Sequence, residues 1–170
     1  SNDDQGLPYV THLPLHLELC GENGDDNGTP VLLGHVARPN PHWRYLQSRP
    51  TAVVTFMGPH AYLSPKVYPD LVRVPTWNYL AVHAWGPLVL HDRPEWILAQ
   101  LNELTARHEG AQPHPWAVSD APGDFTERLV GALIGIEIPI QRVQGKFKLS
   151  QNQALANQQG VITGLRMRDP

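Results

Sequence analysis

The chain has 170 residues, 41% hydrophobic and 17% charged, with a formal net charge of -3; it is long enough to bury one core without disulfide or metal staples. A near-neutral balance and a pI near 6.3 supply no broad basic field for phosphate-backbone binding, so direct contact with nucleic acid is not expected. Cys20 is the only cysteine, which excludes an internal disulfide, and no apolar run is long enough for a membrane span or a secretory signal, pointing to the cytoplasm.

Ser1 to Gly6 reads as the turn of a hairpin whose first strand lies outside the chain. Leu7 to Cys20 is apolar and β-branched enough for a strand, closed by an Asn-Gly-rich turn from Gly21 to Gly28, with Pro30 to Ala37 returning. Pro39 to Gln47 predicts a short helix capped by Asn40. Thr51 to Met57 is a buried strand that Gly58-Pro59 ends or bends, with Ala61 to Leu63 resuming it. Ser64 to Val74, holding two prolines, reads as a functional loop, and Thr76 to Leu90 as a long strand interrupted near Gly86-Pro87.

Asp92 is placed to cap a helix whose apolar face is Trp96, Leu98, Leu101 and Leu104, stopped by Gly110. A second helix starts between Ala121 and Asp124 and uses Phe125, Leu129, Ala132 and Leu133. Ile136, Ile138 and Ile140 then alternate as a strand, and Ser150 to Leu165 is helical in part. No repeat or linker divides the chain, so residues 1–170 are expected to form a single domain, mainly β with α (α+β).

Nine histidines invite a metal site, and His12 with His16 has helical chelating spacing. In a strand, however, four residues span roughly 13 Å, and Pro14 between them opposes a helix. No metal site is assigned. The Asp25-Asp26-Asn27-Gly28 cluster lacks the later glutamate of a calcium loop. No nucleophile elbow, P-loop or Rossmann glycine motif is present, and Cys20 reads as packing.

Four segments combine cations, hydroxyls and flat rings, the chemistry that a phosphorylated heteroaromatic ligand requires. They are Gly34-His35-Val36-Ala37-Arg38-Pro39-Asn40, Gly58-Pro59-His60-Ala61-Tyr62-Leu63-Ser64-Pro65, Val74-Pro75-Thr76-Trp77-Asn78-Tyr79, and Gly145-Lys146-Phe147-Lys148-Leu149-Ser150-Gln151-Asn152. Plainer readings stand beside this one: Trp77 and Tyr79 as core filling, Lys146 and Lys148 as a solvated strand face, and His35 as a surface residue.

Together with Arg107-His108-Glu109, Pro115-Trp116-Ala117-Val118 and Gly135-Ile136-Glu137-Ile138, these segments resemble the PaiB-like FMN-binding negative transcriptional regulators, over nearly the whole chain from Thr11 to Leu165. The resemblance implies an FMN-binding split β-barrel with peripheral helices, related to pyridoxamine-phosphate-oxidase-like flavoproteins, and a homodimer with FMN at the subunit interface. It also implies that the first barrel strand is missing, since family members begin with an extra segment; an edge exposed in this way would weaken or empty the flavin pocket.

On this resemblance the cofactor-binding candidates are His35, Arg38, Asn40, Ser64, Thr76, Trp77, Asn78, Tyr79, Lys146, Ser150 and Gln151. Arg38, Lys146 and Ser64 are taken for the phosphate, and Trp77, Tyr79 and His35 for the ring or ribityl chain. The expected role is negative regulation of transcription by an indirect mechanism. The alternative is a flavin-dependent oxidoreductase, either a flavin reductase or a pyridoxamine-phosphate-oxidase-like catalyst, or a haem-binding relative. Flavin chemistry needs no protein nucleophile, so the sequence leaves catalysis open.

Overall fold

In the alternating run from Val31 to Ala37, every second side chain can enter a core while its neighbours face away. The computed structural model, which describes residues 1–20, 28–70 and 73–167, uses that alternation to build its larger sheet. β1 (Leu15–Cys20), β2 (Thr29–Ala37), β5 (Val89–His91) and β6 (Leu133–Pro139) lie in the order β1-β2-β6-β5, each adjacent pair antiparallel. The register sets Leu32 opposite Ile138, Gly34 opposite Ile136 and Val36 opposite Ile134. Of these, all but Gly34 are in the core, each apolar side chain contributing ~2 kcal/mol of burial.

The remaining elements are α1 (His42–Ser48), β3 (Thr51–Leu63), β4 (Thr76–Pro87), α2 (Pro94–Glu109), α3 (Gly123–Gly131), β7 (Arg142–Lys148) and α4 (Leu155–Arg166). Strands β3, β4 and β7 form a three-stranded sheet in that order. The α+β composition expected from the sequence is therefore present. The chain divides into two compact units, Ser1–Val53 with Trp85–Arg142, and Val54–Ala84 with Val143–Pro170. Among the described residues no helix is long and apolar enough to cross a membrane.

Several local expectations change. β1 begins at Leu15, not Leu7, because Pro8 and Pro14 have no N–H to give a ladder. The opening turn closes instead on an isolated bridge between Asn2 and Pro8, with Asp3 Oδ1 accepting from the Gln5 and Leu7 amides and Gly6 at φ 81°. The turn expected from Gly21 lies in residues 21–27, outside the described residues.

Pro41, not Asn40, occupies the cap position of α1; Asn40 still serves the helix start, its Oδ1 accepting from the His42 amide at 2.9 Å. Asp92 does not cap α2. Arg93 is at that position without a side-chain bond, because the Asp92 carboxylate pairs with Arg38. The inner face of α2 carries Ile97 and Gln100, while Leu98 is exposed. On α3 the buried residue is Val130, with Phe125 and Leu129 exposed and Leu133 in β6.

β3 is neither ended nor divided at Gly58-Pro59 and runs for 13 residues. Its phase changes there instead. Less exposed positions fall on Ala52, Val54 and Gly58, as far as the first residue of the pair, and on Ala61 and Leu63 beyond it. Contacts on β4 agree: Thr55 meets His83, whereas beyond the pair it is His60 and Tyr62 that meet Trp77. This one-residue slip is what a β-bulge produces, and glycine with proline is a usual place for it.

In the second unit Leu63, Tyr68 and Val161 form a small core with Val67 and Leu165 against it. Gly160 and Gly164 let α4 approach the 3-10 turn Pro65–Val67: a Cβ on Gly160 would sit 2.1 Å from the Val67 carbonyl oxygen.

Candidate functional site

The first unit holds three of the sequence candidates, each already engaged. His35 Nδ1–H donates to Gln100 Oε1 at 2.8 Å, under α2. Arg38 donates through Nε to the Gly131 carbonyl at 3.0 Å and through Nη2 to the Leu133 carbonyl at 3.1 Å and to Asp92. That guanidinium hydrogen bond holds the Asp92 carboxyl below its usual range. Asn40 donates to Thr11 Oγ1 at 3.3 Å. These bonds tie the end of β2 to α1, α3 and β6, with Trp43 Nε1–H donating to the Arg38 carbonyl.

In the second unit, strand alternation splits the segment Thr76–Tyr79 that the sequence treats as one patch. Thr76 and Asn78 point into a cavity of about 240 Å³, which Arg73, Lys148 and Ser150 also line. Lys148 Nζ donates to Thr76 Oγ1 at 2.6 Å, and Ser150 Oγ donates to Asn78 Oδ1 at 3.1 Å. Asn78 and Ser150 are both buried. Ser150 has φ 63°, the only positive φ at a described non-glycine residue. Its turn is fastened by Gln151, whose Oε1 accepts from the Leu149 amide and whose Nε2 donates to the Phe147 carbonyl. Gln151 thus shapes the loop rather than lining the cavity.

Trp77 and Tyr79 belong to the other face of β4. Trp77 is exposed, with the Tyr62 ring edge-on at 5.8 Å and the His60 ring tilted at 6.1 Å. Lys146 is exposed on the edge strand β7. Ser64 lies elsewhere: it accepts from the Lys66 amide and lines a wider cavity of about 570 Å³ beside α4. The sequence candidates omit Arg73, held at 3.0 Å from Asp70, and choose Lys146 where Lys148 reaches Thr76. Both lysines have the same parity, so only the pairing with β4 could separate them.

Residues 1–142 match the family described as "Putative FMN-binding domain". The chain belongs to this family. "Protease synthase and sporulation protein PAI 2" of Bacillus subtilis is 32% identical over 163 residues, covering 96% of this chain and 75% of that protein. An "Uncharacterized protein" of Aspergillus fumigatus is 32% identical over 195 residues, covering 93% of this chain and 74% of its own length.

Among solved structures, a "putative 5-nitroimidazole antibiotic resistance protein" of Bacteroides thetaiotaomicron superposes with a TM-score of 0.54 at 16% identity, covering 85% of this chain and 71% of that one. A conserved hypothetical protein of Mycobacterium tuberculosis gives 0.50 at 11% identity, with 85% and 82% covered. At such identities the likeness concerns the fold. The fold class is the α+β split barrel with peripheral helices, and FMN is the cofactor of the family. The exposed rings of Trp77, Tyr62 and His60 suit a flat heteroaromatic group, which prefers offset or edge-on aromatic neighbours.

Proposed function

We propose that the protein binds FMN as a homodimer in the cytoplasm and acts in negative regulation of transcription without itself gripping DNA. The observation that carries this reading is the exposed aromatic face of the three-stranded sheet. Met57, Tyr62, Trp77, Val143 and Phe147 are each at least 39% exposed, an apolar patch of the kind that marks an interaction surface.

A second copy of the chain covers this face in the proposed dimer, and the flavin ring lies against Trp77 with Tyr62 and His60 beside it. Lys146 is the cation proposed for the phosphate: it shares a side of the edge strand β7 with Lys148, so it reaches the phosphate around the sheet edge rather than from the Trp77 face, and it makes no ion pair among the described residues. Of the other phosphate candidates, Arg38 is committed to two carbonyls and Asp92. The regulatory role rests on the resemblance of the chain's motifs to the PaiB-like negative transcriptional regulators, and its indirect character on the net charge of -3.

The test is an FMN titration followed by flavin fluorescence, together with a visible spectrum of the purified protein. Saturable binding that weakens about tenfold or more in Trp77→Ala is expected, about 1.4 kcal/mol for a lost stacking partner. A colourless protein that leaves flavin fluorescence unchanged at every concentration would rule the reading out.

A further inference from the structure

The cavity between the start of β4 and the end of β7 has a donor set with an unbalanced charge. Lys148 Nζ donates one bond, to Thr76 Oγ1, and makes no ion pair among the described residues. Arg73 faces the same space from the other side, positioned by Asp70, which also accepts from the buried Asn157 at 3.1 Å. Asn78 spends its Oδ1 on Ser150, and no described residue accepts from its Nδ2. Two cations and an amide donor thus face one small space.

The loop that closes this space is strained. A serine at φ 63° is in the left-handed region that disfavours a residue with a Cβ, and such strain persists where surrounding bonds over-determine it, commonly at ligand clamps. Here the Leu149, Phe147 and Gln153 backbone bonds do so, and the result is that the Ser150 hydroxyl is aimed at Asn78 rather than at solvent.

We infer that this cavity is a binding site for a small anion, a phosphate- or carboxylate-bearing molecule, separate from the flavin. At about 240 Å³ it is below the ~300–1,000 Å³ usual for drug-sized ligands, which suits a small anionic group better than a flavin. Thr76 and Asn78 point away from the β4 face that carries Trp77, so a flavin whose ring lies on Trp77 has the sheet between it and the cavity. Charge-assisted bonds from Lys148 and Arg73 supply affinity, and the fixed Asn78 amide supplies orientation.

The experiment is calorimetric titration of sodium phosphate into the protein, with and without saturating FMN, at constant ionic strength and against sodium chloride. Expected are one saturable site per chain in both states, weakening of about tenfold in Lys148→Gln and again in Arg73→Gln, as losing a charged hydrogen bond implies, and FMN affinity unchanged within about twofold.

Phosphate heats that match chloride would overturn the proposal, as would equal phosphate affinity in both well-folded variants. So would displacement of phosphate by FMN but not by riboflavin, because the cavity would then be the flavin's own phosphate subsite. A protein that binds phosphate in this way but no flavin would sink the reading of the aromatic face and leave this one standing.

Discussion

Trp96 lies flat on His91, ring centroids 4.0 Å apart and planes at 8°, in a notch that exists because Gly135 beneath it has no side chain. His35, Gly135 and His91 are neighbours across β2, β6 and β5. Trp96 and Gln100, four residues apart on α2, sit over this row, with Gln100 Oε1 accepting a hydrogen bond from His35 Nδ1–H. On the other side, His91 Nε2–H donates to Glu137 Oε2 at 2.7 Å.

A methyl group at Gly135 would lie 2.3 Å from Trp96 Cζ3 and 3.1 Å from His91 Cβ. Gly135→Ala is therefore expected to lift α2 from the sheet and cost ~1–3 kcal/mol, the usual range for overpacking. Urea denaturation measures it; a change below about 0.5 kcal/mol, the scatter of ordinary surface substitutions, would mean that the notch does not fix α2.

Gly160→Ala tests the second unit. The added carbon meets the Val67 carbonyl, and because that obstacle is backbone the clash outweighs the ~1 kcal/mol gained in helix propensity. Gly131, at the end of α3, has nothing within 4 Å of its would-be Cβ. Gly131→Ala should leave the melting temperature unchanged or raise it, whereas Gly160→Ala should lower it.

His42 gives a pH dependence. Its nitrogens are 2.7 Å from Ser1 Oγ and Thr11 Oγ1, and burial lowers its pKa below the ordinary 6.5. The unfolded chain then binds this proton more readily, so the contribution is full above about pH 6.5 and is lost as pH falls toward the folded pKa. Melting temperatures between pH 7.5 and 5 should fall more steeply in the wild type than in His42→Gln; parallel curves would contradict this.

Phe147 is 54% exposed on the face proposed to pair two copies. Phe147→Glu buries a charge if that face is covered, and costs ~2 kcal/mol or more, about thirtyfold in association. Light scattering should show the mass shift from dimer toward monomer, with melting of the isolated chain little changed. An unaltered mass would place any dimer contact elsewhere.

The amino-acid sequence by itself determined the family, the α+β composition, most strand positions and the segments with chemical potential, because alternation, caps and motifs are local. Tertiary structure decided how those segments are used. Strand pairing set Thr76 beside Lys148, and the turn after β7 set Ser150 beside Asn78, partners 72 residues apart in each case, while alternation turned Trp77 to the opposite face. The slip at Gly58-Pro59 brought His60 and Tyr62 round to Trp77, and Arg38 was claimed by carbonyls from Gly131 and Leu133. A side chain's direction follows from its own strand, but its partner follows from register between distant strands, and no local pattern in the chain encodes that.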